Sequence, residues 1–166
     1  MTLDSLHTEG ITSSNGHKAK SLLARIQSAN DIASSIPLLV KELKDLWDCE
    51  AITLFALDRD NRQLFSRNII IDSQPEIRVD ISTSSLAGYV AAVGKAVNIA
   101  DAYSQEDLAQ FHPKLSQGST LDSVLSIRTR SLMVLPIPHN KKLVGVMEVI
   151  HRKNGEPFSE QEFKLA

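Results

Sequence analysis

Cysteine is nearly absent, with Cys49 alone in 166 residues. A single thiol excludes an internal disulfide and any cysteine-based zinc ribbon, and it fits a reducing compartment, so a cytoplasmic location is expected. An excess of positive charge is also missing. Eighteen Lys and Arg stand against twenty Asp and Glu, a net charge of -2, which leaves nothing to neutralise a phosphodiester backbone and argues against nucleic acid as a partner. No window approaches the ~20 apolar residues of a membrane span, and the first ten residues lack a basic stretch followed by an apolar one. No membrane insertion is expected.

The usual catalytic spacings are lacking too. The five histidines show no HxxxH or HExxH pattern, so no metal site and no cofactor are expected. There is no GxSxG elbow, and Cys49 has no neighbouring His or Lys to activate it, so a small buried residue opening a strand is its simplest role. Gly88, Gly94 and Lys95 imitate a phosphate-binding loop, but five residues separate the glycines instead of four, and Ala96 replaces the magnesium-holding Ser or Thr. The residues between those glycines carry a helical apolar stripe, whereas a phosphate loop needs exposed backbone amides.

What the chain does have is one domain's worth of length and a 42% hydrophobic content, enough to fill a core. Residues 1–17 are polar, without apolar periodicity, and read as a disordered lead. Helical spacing follows in "KAKSLLARIQSAN", where Leu22, Leu23 and Ile26 share a stripe that could serve a dimer contact. A second helix carries Ile36, Leu39, Val40, Leu43 and Leu46, with Ser34 or Ser35 as its cap and Pro37 in its first turn. The period then drops to two in "AITLFAL", "QLFSRNII" and "EIRVDIS", which are separated by turn formers and read as antiparallel strands with Ile77, Val79 and Ile81 facing a core. Ser84 to Gly94 returns to helical spacing, and Gly94 is placed to end that helix with a positive φ. "AVNI" is a short strand. Residues 101–130 are polar and weakly periodic, with one short helix expected in "STLDSVLSI". "SLMVLPI" and "KLVGVMEVI" are apolar on both faces, as central strands are, around the turn "PHNK". At the end, "FSEQEF" holds a capping box, Ser159 with Glu162, and a staple of Phe158 with Phe163. A helix so well begun with so few residues left suggests a fragment of a longer protein, with a downstream effector domain beyond it.

The run "SLAGYVAAVGKAVNIADAY", followed by "RTRSLMVLPI" and "LVGVMEVIHRKNGEPFSEQEFKLA", resembles a GAF domain of the kind found in cyclic-nucleotide phosphodiesterases, adenylyl cyclases and bacterial signalling proteins. The stretches "ELKDLWDCEAITLFALDRDNRQLFSR" and "PIPHNKKLVGV" are similar to the GAF domain that precedes the ATPase of some bacterial secretion and pilus-assembly motors. The resemblance covers roughly residues 21–166, and the domain is taken as residues 18–166. It implies an α+β fold: a central six-stranded antiparallel sheet, terminal helices on one face, and short helices and loops roofing a small-molecule pocket on the other. Cyclic-nucleotide-binding members carry an Asn-Lys-Phe-Asp signature before the "RT" strand. Here Asp122 falls on its Asp, while Gly118, Ser119 and Leu121 stand where Asn, Lys and Phe belong, removing both an amide and a cation. Bilin-binding members attach chromophore through a pocket cysteine, and the methionine-sulfoxide reductase members use several cysteines; this chain has neither.

The resemblance places a set of candidate ligand residues around the pocket. Ser84 or Ser85 caps the helix expected from Ser84 to Gly94, Leu86 beside them is a further candidate, and any free first-turn amides would form a weak anion site. Asn98, Asp101 and Tyr103 follow the short strand toward the expected pocket mouth, although Asn and Asp also build turns unaided. Phe111 would stack on a planar ligand or plug the loop. Asp122 and Thr129 complete the set, with Arg128 and Arg130 as exposed charges beside them. The expected function is a non-catalytic sensory or regulatory module that binds a nucleotide-like or other small molecule. It would signal through its terminal helices to a homodimer partner or an effector domain. A ligand-free assembly or dimerisation domain of a larger machine is the alternative.

Overall fold

The computed structural model describes residues 32–67, 76–116, 122 and 128–166. The helix expected near residues 18–30, the proposed dimer stripe and most of "STLDSVLSI" lie outside these. The chain divides into two compact units, residues 1–46 and 47–166. Helix α1, Ile32–Trp47, contains every described residue of the first unit. It starts earlier than its capping signals suggest: Ser34 and Ser35 are inside it, and Pro37 is interior to it. A proline this close to a helix start forfeits only one intrahelical hydrogen bond, so the helix runs through it.

The second unit is built on six strands: β1 Cys49–Asp58, β2 Gln63–Ser66, β3 Arg78–Asp80, β4 Val97–Ile99, β5 Leu132–His139 and β6 Lys142–Arg152. They form one sheet in the order β3-β2-β1-β6-β5-β4, and every neighbouring pair is antiparallel. The two apolar strands, β5 and β6, are both interior to the sheet, and Leu132–Leu135 and Glu148–Ile150 are buried on both faces. β5 and β6 are joined by a two-residue turn in which Asn140 and Lys141 have φ of 49° and 61°, the twist that matches a tight hairpin. At the edge, β3 alternates as expected: Val79 is buried, Arg78 and Asp80 are exposed.

Register fixes which side chains share a face. Thr53 pairs with Glu148, Glu148 with Val134 and Val134 with Val97, so these four form a row across the sheet. A parallel row holds Ala51, Ile150, Leu132 and Ile99. This face carries the main hydrophobic core, in which Phe55, Leu64, Val134 and Ile150 meet residues from the crossing segments.

Helix α2, Leu86–Val93, lies over this face, packed on β2, β3, β5 and β6. Ser85 caps it by accepting from the Gly88 amide at 3.1 Å, and Gly94 ends it with φ 69°. Gly88 is required by contact: a Cβ there would sit 2.3 Å from the Asp80 carbonyl oxygen. The glycine therefore sets how closely α2 can approach β3. Helix α3, Gln105–Ala109, falls in the stretch whose periodicity is weak. Five residues are too few to show a helical period, and what starts it is a local cap, Ser104 Oγ accepting from the Asp107 amide at 3.2 Å. The C-terminal helix α4, Glu160–Leu165, opens on the complete capping box of Ser159 and Glu162.

Candidate functional site

The chain between β4 and β5 brings together residues that are distant in sequence. The Asp101 carboxylate accepts from the Tyr103 amide at 2.9 Å and from the Arg130 guanidinium at 3.3 Å. The turn amide is the main reason that its carboxyl is held below the usual carboxylate range; Arg130 adds to the effect. The Asp101 amide in turn donates to Asp107 at 3.2 Å, tying the turn to the start of α3. The Tyr103 hydroxyl donates to Asp122 Oδ2, and this bond, with burial, raises the phenol above its ordinary value. Asp122 Oδ1 accepts from the Thr129 amide at 3.3 Å. The Arg128 guanidinium lies over the Tyr103 ring, 4.5 Å from its centre, a cation–π contact on the exposed side of the cluster.

Beneath this cluster, on the face covered by α2, the sheet presents Thr53 and Glu148. Glu148 is fully buried and Thr53 is 1% exposed. Among the described residues, neither carboxyl oxygen of Glu148 nor the hydroxyls of Thr53 and Thr129 have a hydrogen-bond partner. Burial pushes the Glu148 carboxyl up to about 8, and the negative charge of Asp122 adds to the shift. At neutral pH the group is thus mainly a protonated carboxylic acid. An unpaired buried polar group costs ~1–3 kcal/mol; Thr53 and Glu148 share one face of the sheet, and Thr129 is tied through its amide to Asp122.

Of the residues expected around a pocket, Asp101, Tyr103, Asp122 and Thr129 are brought together. Ser85 is occupied as the cap of α2, and the exposed Ser84 hydroxyl bonds Ser82 at 2.7 Å. Leu86 is buried in the core at 2% exposure. Phe111 packs against the core, and its carbonyl accepts from the Tyr89 hydroxyl. Asn98 requires a correction. It pairs with Met133, between Val97 and Ile99 in the strand, so alternation turns it to the opposite face of the sheet, where its side-chain amide donates to the Phe158 carbonyl at 3.0 Å. Glu148 and Thr53 are the site residues that the sequence reading misses. The available signal is a lone carboxylate within the apolar run of β6, since an acid is almost never fully buried without a reason.

A GAF domain family model matches residues 31–166. The chain belongs to the GAF family. Among its relatives, the dual 3',5'-cyclic-AMP and -GMP phosphodiesterase 11 of Drosophila melanogaster is 36% identical over 96 residues, 57% of this chain and 6% of that protein. The probable 3',5'-cyclic phosphodiesterase pde-5 of Caenorhabditis elegans is 26% identical over 141 residues, 76% of this chain and 18% of that protein. This chain therefore spans a small part of either phosphodiesterase. In structure it is similar to the GAF domain of a Coxiella burnetii phosphoenolpyruvate-protein phosphotransferase, with a TM-score of 0.68 at 17% identity, covering 89% of this chain and 83% of that one. It is also similar to the free methionine-R-sulfoxide reductase of Neisseria meningitidis in complex with its substrate, with a TM-score of 0.62 at 15% identity, covering 87% and 75%. At these identities the likeness is one of fold. Among the described residues, no helix is long and apolar enough to cross a membrane.

Proposed function

We propose that this GAF domain is a non-catalytic sensory or regulatory module that binds a small molecule between the sheet and the cluster of Asp101, Tyr103, Asp122 and Thr129. The observation that carries this reading is the unpartnered set of Thr53, Thr129 and Glu148, all buried. A folded chain supplies partners for nearly all of its buried polar atoms, so the cross-strand orphans Thr53 and Glu148 call for a group from outside. Ligand capture would reorder the Asp101–Tyr103–Asp122 contacts and shift the terminal helices, biasing a homodimer partner or an effector domain in the cytoplasm.

A ligand-free assembly domain, such as one preceding a secretion or pilus-assembly ATPase, would be expected to satisfy its buried oxygens with its own side chains. The phosphodiesterases named above lend it no support. Thermal unfolding against cyclic mono- and dinucleotides, ATP, amines and amino acids tests the sensory reading. A ligand at 100 times its dissociation constant adds ~2.7 kcal/mol of stability, and that rise should shrink in Asp122→Ala. A midpoint that no compound moves would favour the assembly domain.

A further inference from the structure

The chemistry of the buried row narrows what the ligand can be. Glu148 and Thr53 are cross-strand partners, both are buried, and Glu148 lies within the electrostatic reach of Asp122. Among the described residues, the other neighbours on the sheet side leave this acidity uncompensated. The cross-strand partners Thr53 and Val134 carry no charge, and α2 contributes the apolar Leu86, Ala87 and Val90 to the core. Beyond Asp122 stand Tyr103, which donates to it, and Arg128, which is exposed and stacked over that ring. Arg130 is paired with Asp101, itself tied to Asp107. A phosphate or carboxylate brought against Glu148 would face two carboxyls. A positively charged nitrogen would instead offer N–H donors to oxygens that have none.

Resting on the sensory reading above, we propose that the end of the ligand seated on Glu148 and Thr53 is cationic, an ammonium or guanidinium group, and that it displaces the Glu148 proton to solvent as it binds. The proton thus holds the place of the ligand's charge when the domain is empty. Charge balances across the exchange: one proton leaves, one cation enters, and Glu148 becomes a carboxylate paired with it. The Thr53 hydroxyl accepts a second N–H from the same group.

The test uses the full chain with carboxyl-labelled glutamate, followed by carbon NMR and thermal unfolding in agmatine, putrescine or histamine, with cyclic AMP and cyclic GMP as anionic comparisons. The expected result is that at least one amine raises the midpoint and moves the Glu148 resonance from its protonated to its ionised position. Its affinity should climb ~tenfold per pH unit until pH passes about 8. Glu148→Gln should weaken that amine at least ~tenfold and abolish its pH dependence. Thr53→Val, which keeps the side-chain shape, should weaken it while leaving the pH dependence in place. If the cyclic nucleotides raise the midpoint with Glu148 still protonated, the cationic assignment is wrong and the sensory reading stands. If neither amines nor nucleotides move the midpoint or the resonance, both are overturned.

Discussion

Replacing Glu148 by Gln should alter the pH dependence of stability even with no ligand present, and the size of the change follows from burial. The ordinary glutamate value is 4.5, and in the folded domain it is pushed up to about 8. Below pH 4.5 both the folded and the unfolded chain hold the proton, so the group adds nothing to the pH dependence of stability. Between these values the unfolded chain releases its proton while the folded one keeps it, so stability falls as pH rises, at ~1.4 kcal/mol per pH unit. From pH 5 to pH 8 that amounts to roughly 4 kcal/mol, a large share of the ~5–15 kcal/mol that holds a typical domain together. A glutamine has the same shape and no proton to lose. Urea unfolding of both proteins at unit pH steps isolates the effect, because every other titrating group cancels in the difference. The Gln variant should gain steadily on the wild type up to about pH 8 and then hold its advantage. Two parallel curves would refute the reasoning, since they would mean that Glu148 meets water or a partner in the folded state.

Gly88→Ala would add ~1 kcal/mol in a free helix. Here its Cβ would meet the backbone oxygens of Asp80 at 2.3 Å and Ser82 at 3.0 Å, so a net loss of ~1–3 kcal/mol is expected on denaturant unfolding; a stabilised variant would show that α2 does not press on β3. Asn98→Ala should cost about 1 kcal/mol through the lost bond to the Phe158 carbonyl and should speed amide exchange in α4, while ligand-induced shifts stay unchanged; a lost ligand response would return Asn98 to the pocket. Asp122→Asn should lower the titration of the Tyr103 phenol toward its ordinary value, because the bond that raises it is weakened, and should also lower Glu148. An ultraviolet titration of the tyrosines reads the first effect, and an unchanged Tyr103 would refute that bond.

Much of the fold was legible because its signals are local. The period-two alternation of Ile77, Val79 and Ile81 needs only one strand to be seen. Ser85, Gly94 and the Ser159–Glu162 box act within one helical turn of themselves, and all three appear at the helix ends where they were expected. α3 was missed because its five residues are fewer than a helical pattern requires. The start of α1 was placed too late because a proline was read as an opening residue, whereas a single missing bond near a helix end is tolerated.

The candidate site was legible in part and for a different reason. Asp101, Tyr103, Asp122 and Thr129 were named from a resemblance, and the contacts that join them span up to 19 residues of chain. No spacing rule reports such contacts. Asn98 went astray because its polar character was read without the alternation of its neighbours Val97 and Ile99, which assigns it to the other face.

By itself, then, the sequence determined the alternating strands, the caps at Ser85, Gly94 and Ser159, and the exclusion of disulfide and phosphate-loop chemistry. All of these depend on steric and hydrogen-bonding preferences acting over a few residues. Only the tertiary structure decided that Glu148 is an unpaired acid beside Thr53 and Asp122. That property arises from water being excluded by segments far away in the chain, and the charge of a carboxyl group depends on the medium around it.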